Sequence, residues 1–209
     1  MALLHLKPRR ESSPRSYVVL DDMTTTFHGF TFATDPGRVF TPRETSGCLV
    51  DAALDRVGAA SARIADVGTG SGAIAISIAL RAPQVDVWAS DTCARALDLA
   101  SANARRLGAQ VHLVKGDLLE GLPRDLDLVV ANLPYLAPGT PGYEQDPPGA
   151  VFSTGDGLDH YRRLLSVCAD HLNSTGAVIL QLHGQVLEAE RTELLRLRNR
   201  IDSIVPAAA

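Results

Sequence analysis

Four consecutive residues, Asn132-Leu133-Pro134-Tyr135, carry most of the chemistry legible in this chain. They follow the apolar run 126–131, which reads as a buried strand. Asn and Pro then force the chain out of the sheet. This leaves an amide side chain, a carbonyl ahead of a proline and an aromatic face at the carboxyl edge of a sheet, where open α/β folds bind ligands. The set suits holding a flat NH2-bearing group against a ring while its nitrogen reacts. Burying an NH2 group costs a few kcal/mol unless both hydrogens are accepted. The Asn132 side-chain oxygen is expected to take one hydrogen and the Leu133 carbonyl the other, with Tyr135 stacked on the plane.

The second reactant's site reads at Gly68-Thr69-Gly70-Ser71-Gly72, where the short strand 64–67 hands over to the helix 73–80. Glycines there let the backbone approach a ligand and leave a helix N-terminus open to polar groups. Read as Gly68-x-Gly70-x-x-Ala73, with Asp91 about 20 residues further on, the stretch also fits the dinucleotide fingerprint. An NAD-dependent oxidoreductase is therefore a rival reading. Three features favour S-adenosylmethionine. Asp66 stands two residues ahead of the glycines, where a carboxylate suits an amino-acid ammonium and repels a pyrophosphate. Asp117 ends the third strand, within reach of an adenine amine. The loop also opens well inside the chain, whereas the dinucleotide fingerprint usually opens its domain. On this reading Gly68, Thr69, Gly70 and Gly72 shape the pocket and Asp91 meets the ribose hydroxyls. Each acid also has a plainer use, capping the helix that follows it.

Strands and helices must alternate to position these residues. Residues 1–22 read as a mobile basic leader, and 23–209 as one domain. Alternating residues 27–32, a turn at Asp35-Pro36-Gly37 and Val39-Phe40 predict a β-hairpin. A helix runs from Thr41 until Gly58 stops it. Strands follow at 64–67, 85–90, 111–114, 126–131 and 177–182, separated by helices at 73–80, 93–107 and 158–172. A final helix is expected at 186–198 and a sixth strand at 201–205. Residues 136–157 form a Pro/Gly-rich loop of a length that is usually functional. The alternation predicts right-handed crossovers and a Rossmann-like, doubly wound, mostly parallel α/β sheet.

Composition narrows the classes. The 209 residues suffice for one good core, and a formal charge of −4 argues against nucleic-acid binding by bulk charge. The three cysteines are widely spaced, so they read as small buried hydrophobes rather than a disulfide framework or zinc site. The histidines show no metal-ligand spacing, and no metal is expected. No apolar run approaches the ~18 residues of a membrane span, and no signal peptide opens the chain, so a cytoplasmic protein is expected.

The order Asp66-x-Gly68-x-Gly70, Asp91, Asp117, Asn132-x-Pro134-Tyr135 resembles a class I S-adenosylmethionine-dependent methyltransferase acting on a planar nitrogen. Within that class the stretch from about Phe30 to Gln185 resembles the protein-glutamine N5-methyltransferases of the HemK/PrmC type, which modify release factors. Flanking matches are Val39-Phe40-Thr41-Pro42-Arg43, Asp146-Pro147, Ala150 and Asp156-Gly157-Leu158. The resemblance implies that Pro42 and Arg43 join the cofactor site and that Asn132 borders it. Two positions depart from the family pattern: Leu133 stands where the family has the first proline of Asn-Pro-Pro-Tyr, and Glu44 follows Arg43 directly. Asn-Leu-Pro-Tyr is also the form in ribosomal-RNA adenine dimethyltransferases. The family's amino-terminal helical domain is expected to be absent and its last strand pair incomplete. The leading expectation is N-methylation of a protein glutamine amide. The alternatives are an adenine of RNA or DNA, a small heterocyclic substrate, or a non-catalytic cofactor-binding subunit. A homodimer or helper subunit is the partner expected besides the acceptor.

Overall fold

The computed structural model describes residues 23–143 and 146–204; the leader expected at 1–22 lies outside them. The chain opens with a two-stranded hairpin, β1 (Thr24–Phe27) and β2 (Phe30–Ala33). A 3-10 turn, Glu44–Ser46, leads into α1 (Gly47–Val57). Strand and helix then alternate through β3 (Arg63–Val67), α2 (Ala73–Arg81), β4 (Asp86–Asp91), α3 (Ala94–Leu107) and β5 (His112–Lys115). After β6 (Leu126–Ala131) come the short α4 (Pro148–Val151), α5 (Asp159–His171), β7 (Leu172–Leu182), β8 (Gln185–Glu190) and α6 (Leu194–Ile204).

β3 to β8 form one six-stranded sheet in the order β5-β4-β3-β6-β7-β8, parallel except for β8. The strands are apolar on both faces because helices cover both, as crossover connections require. Ile64, Val87, Leu128, Val130, Ala177 and Ile179 pack with α1, α2 and the hairpin. Ala65, Val67, Val129, Ala131, Val178 and Leu180 pack with α5 and α6. The order reverses between β3 and β6, so a crevice opens at their carboxyl ends. There Val67 pairs with Ala131, which sets Gly68 beside Asn132.

Two expected elements move, for one reason. The first hairpin turns at His28-Gly29 rather than at Asp35-Pro36-Gly37, and 185–190 is a strand rather than the start of a helix. The second turn is His183-Gly184. All four residues have positive φ (50°, 83°, 48° and 74°), as a two-residue type I′ hairpin demands. In β8, Leu187 and Ala189 are buried and alternate with exposed residues, a period of two that the apolar count over 186–198 conceals. The last helix therefore begins at Leu194, and 201–204, expected as strand, is helical.

The long loop is partly structured. Leu136 and Phe152 form a parallel bridge, with the Leu136 amide donating to the Val151 carbonyl at 3.1 Å and the Ser153 amide to the Leu136 carbonyl at 2.9 Å. These bonds bring residues 151–153 back beside Leu136. Of the cysteines only Cys168 is buried as expected; Cys93 is exposed and Cys48 half-buried, and none is disulfide-bonded. Among the described residues no helix is long and apolar enough to cross a membrane, and no cluster of His, Cys, Asp and Glu suits a metal ion.

Candidate active site

A cleft of about 360 Å³ lies over the carboxyl ends of β3, β4, β6 and β7. On its β3–β5 side it is lined by Gly68, Thr69, Gly70, Asp91 and Asp117; on its β6 side by Asn132, Leu133, Pro134 and Tyr135. Pro42 and Arg43 close the mouth. The fold thus brings together eleven of the thirteen residues expected at the site. Asp66 and Gly72 do not line it.

The glycine loop is held from below. The amides of Gly68 and Thr69 both donate to the Ser90 carbonyl at 2.9 Å. Asp66 is fully buried, and its Oδ2 accepts from the Thr69 hydroxyl at 2.7 Å and the Ala75 amide at 3.2 Å. Its Oδ1 has no donor among the described residues. Burial, with the nearby Asp91 charge adding to it, pushes this carboxyl up to about 6. Asp66 therefore shapes the loop rather than facing the ligand space. Gly68 must be glycine twice over: its φ is +74°, and a Cβ would stand 2.8 Å from Leu133 Cδ2. Gly70 has φ +56° and open space where a Cβ would project.

Asp91 uses both oxygens on its own chain, accepting from the Gly70 amide at 2.9 Å and the Cys93 amide at 2.8 Å. Because an ionised carboxylate offers about four acceptor sites, it retains capacity toward the cleft. Asp117 is ion-paired with Arg163. Next to it Leu118 adopts φ +55°, and its carbonyl accepts from the buried Ser90 hydroxyl at 2.6 Å. Strain in a non-glycine residue at a cleft is a mark of functional sites.

The β6 side is arranged differently. Asn132 Nδ2 donates to the Ser46 hydroxyl at 2.9 Å. No described residue donates to Asn132 Oδ1. Leu133 points to the opposite face of the sheet, where its amide donates to the buried Tyr161 hydroxyl at 3.1 Å and its carbonyl lies 3.2 Å from the same oxygen. That hydroxyl also donates to the Gln181 carbonyl, tying the ends of β6 and β7 together, and burial raises its pKa. The Leu133 carbonyl, expected to meet the acceptor's NH2 group, shares the single Tyr161 hydroxyl hydrogen with the Gln181 carbonyl and keeps a lone pair free of it. Tyr135 is half-buried, with its ring edge-on to His183 at 4.9 Å, and desolvation raises its hydroxyl. At the mouth Arg43 binds Asp146 at 2.5 Å and stacks over Phe40 and Tyr143 at 5.1 and 5.6 Å. This joins the segment before α1 to the loop after β6.

Four residues here escape sequence reasoning: Ser46, Tyr161, Gln181 and Asn103. Asn103, fully buried in α3, accepts from the Ala33 amide at 2.8 Å and donates to the Ala33 and Ser71 carbonyls at 3.1 and 3.0 Å. It clamps hairpin to glycine loop. A polar residue on the apolar stripe of α3 is the signal that marked it.

A family model described as the methyltransferase small domain matches residues 30–144. The release factor glutamine methyltransferase of Bordetella pertussis is 39% identical over 176 residues, covering 80% of this chain and 65% of the relative. Its namesake from Xylella fastidiosa strain Temecula1 is 43% identical over 152 residues, covering 68% of this chain and 54% of the relative. The chain spans between about half and two-thirds of the length of these curated relatives. Among solved structures, a ribosomal protein L11 methylase from Lactobacillus delbrueckii subsp. bulgaricus aligns with a TM-score of 0.54 at 24% identity, over 81% of this chain and 72% of that one. The T. thermophilus 16S rRNA N2 G1207 methyltransferase, in complex with AdoMet and guanosine, aligns with a TM-score of 0.56 at 18% identity, over 76% and 40%. At these identities the structural likeness establishes the fold alone, a Rossmann-like α/β sheet.

Proposed function

The chain belongs to the methyltransferase small domain family, and from that premise we propose that it transfers a methyl group from S-adenosylmethionine to the side-chain amide of a glutamine in a protein release factor. The named activity of the curated relatives supports the acceptor. The chemistry of the cleft supports the donor. Asp91 and Asp117 line one wall, suiting a ligand that carries positive charge, hydroxyls and an amine. Gly70 leaves open the volume that a side chain would fill.

When bound, S-adenosylmethionine supplies an electrophilic methyl on sulfur; everything else falls to the chain. The observation that carries the proposal is the Asn132 carboxamide. Ser46 holds its NH2 end at 2.9 Å, so the oxygen is presented without a competing donor. That oxygen accepts one hydrogen of the glutamine amide and fixes its plane. Tyr135, braced by His183, packs on the planar face and sets its tilt. Such positioning of two reactants lowers a barrier by roughly 7–11 kcal/mol. The nitrogen's surplus proton leaves after transfer, so no dedicated base is required.

Asn132→Ala tests this directly. With a purified bacterial release factor as acceptor, transfer read by mass spectrometry of the glutamine peptide falls about 10²–10³-fold. Affinity for S-adenosylmethionine, read by calorimetry, stays within about threefold. Unchanged turnover removes Asn132 from the mechanism. Label appearing in RNA or in a small metabolite, and not in glutamine, replaces the acceptor.

A further inference from the structure

His160 stands in the first turn of α5 and lines the cleft together with Asp117 and Leu118. One turn further along the same helix face, Arg163 pairs with Asp117, and the charges of both reach the imidazole. The His160 Nδ1 lies 2.7 Å from the Ser153 hydroxyl, which is 3% exposed and also accepts from the His160 amide at 3.4 Å. That hydroxyl has no other acceptor among the described residues, so its hydrogen goes to Nδ1 and the ring's own hydrogen sits on Nε2. Burial, with the Arg163 charge adding to it, lowers the imidazole pKa and keeps the ring neutral at pH 7. The Nε2–H group, on the ring edge away from Ser153, has no acceptor among the described residues. A partly buried ring in a cleft thus carries a donor of fixed identity and no partner on its own chain.

Asp91 ends β4, and Asp117 follows β5, the outer strand beside it. With ribose hydroxyls at Asp91, the base of the cofactor extends toward Asp117 and α5. Adenine presents there an amine flanked by ring nitrogens, a donor beside acceptors. Asp117 supplies an acceptor and His160 a donor, which is the matching pair. Building on the methyl-transfer reading above, we propose that His160 determines specificity for the cofactor's base: its Nε2–H donates to a ring nitrogen flanking the amine that Asp117 accepts, and Ser153 fixes the tautomer that makes the donation. A site built around a fixed donor discriminates against a base that lacks the acceptor, because the donor is then left unpaired.

Calorimetric titration of the full chain with S-adenosylhomocysteine and its 1-deaza, 3-deaza and 7-deaza analogues tests this on wild type, His160→Phe and His160→Gln. Phenylalanine keeps a ring and removes the N–H; glutamine returns an amide donor at a similar reach. His160→Phe raises the Kd for S-adenosylhomocysteine about tenfold, and His160→Gln recovers to within about threefold. The 1-deaza or the 7-deaza analogue, each lacking one nitrogen that flanks the amine, binds wild type about tenfold more weakly than the parent compound. That same analogue costs His160→Phe nothing further, whereas the 3-deaza analogue affects both proteins equally. Because each protein is compared with itself, a general loss of stability in the variant leaves the comparison intact. Equal losses in wild type and His160→Phe on every analogue overturn the role of His160 and leave the cofactor reading standing. A wild type that binds no S-adenosylhomocysteine overturns both.

Discussion

The two halves of the sheet's carboxyl edge treat their polar groups in opposite ways. On the β3–β5 half the groups are acids, and the chain's own donors surround them: Thr69 and Ala75 on Asp66, Gly70 and Cys93 on Asp91, Arg163 on Asp117. On the β6–β7 half the groups are amides, each tethered by nitrogen with its oxygen left over. The difference follows from charge. A buried carboxylate without donors is so unfavourable that it neutralises instead, and Asp66, one oxygen short of a donor, shows this in its raised pKa. A neutral amide oxygen costs far less to leave unpaired. A group that must wait for a substrate hydrogen is therefore better an amide, as Asn132 is, than an acid.

Perturbations that act on one half and spare the other sharpen this contrast. The largest effect is expected from Gly157→Ala. Gly157 has φ +95°, and a Cβ there would lie 2.4 Å from the Tyr135 carbonyl oxygen and 3.0 Å from the Ala137 amide. Backbone must shift, and a displacement approaching 1 Å costs about a hundredfold in transfer rate. Binding of S-adenosylmethionine, measured calorimetrically, stays near wild type; a parallel loss of cofactor binding would mean the halves are not independent.

Asp66→Asn probes the other half. Burial raises the folded carboxyl from 3.8 to about 6, so the folded state holds its proton more tightly than the unfolded chain. The stability this confers is complete below pH 3.8 and is lost as pH rises through about 6, a swing of roughly 3 kcal/mol at most. Urea unfolding at pH 4.5 and 7.5 measures it, and the asparagine variant flattens that slope without changing the KM for the acceptor. Asp156 acts in a lower window and with opposite sign. Its pairing with Arg162 holds it at about 2, so its contribution is present above pH 3.8 and fades only as pH falls toward 2.

Ser46→Ala comes next. Without the hydroxyl, the Asn132 amide is free to turn its NH2 toward the acceptor, and kcat falls about tenfold, with Ser46→Thr restoring it and cofactor affinity unmoved. The smallest effect belongs to Arg43→Ala. Its contact with Asp146 is half exposed, and such pairs are worth at most about 1 kcal/mol. A change of no more than about threefold in acceptor KM is expected; a much larger one would make the strap across the mouth part of the acceptor half.

Much of this molecule was legible before its tertiary structure. The glycine loop, the strand-end acids and Asn132-Leu133-Pro134-Tyr135 were readable because each sits at or beside the end of an apolar strand, which periodicity marks in one dimension. Even the misplaced hairpin and the one taken for a helix had a local sign, His28-Gly29 and His183-Gly184, which apolar residues on either side disguised. Which way the side chains point was another matter. The Asn132 and Gln181 amides are oriented by Ser46 and Thr45, 86 and 136 residues earlier in the chain. Whether Asp66 faces a ligand or the underside of a loop depends on where α2 docks. Sequence determined the elements and the groups at their ends, because backbone propensity and burial pattern are local. Only the packing of α1 over β6 and β7 decided which way those amides point, because a hydrogen-bond partner is chosen by proximity in space and not along the chain.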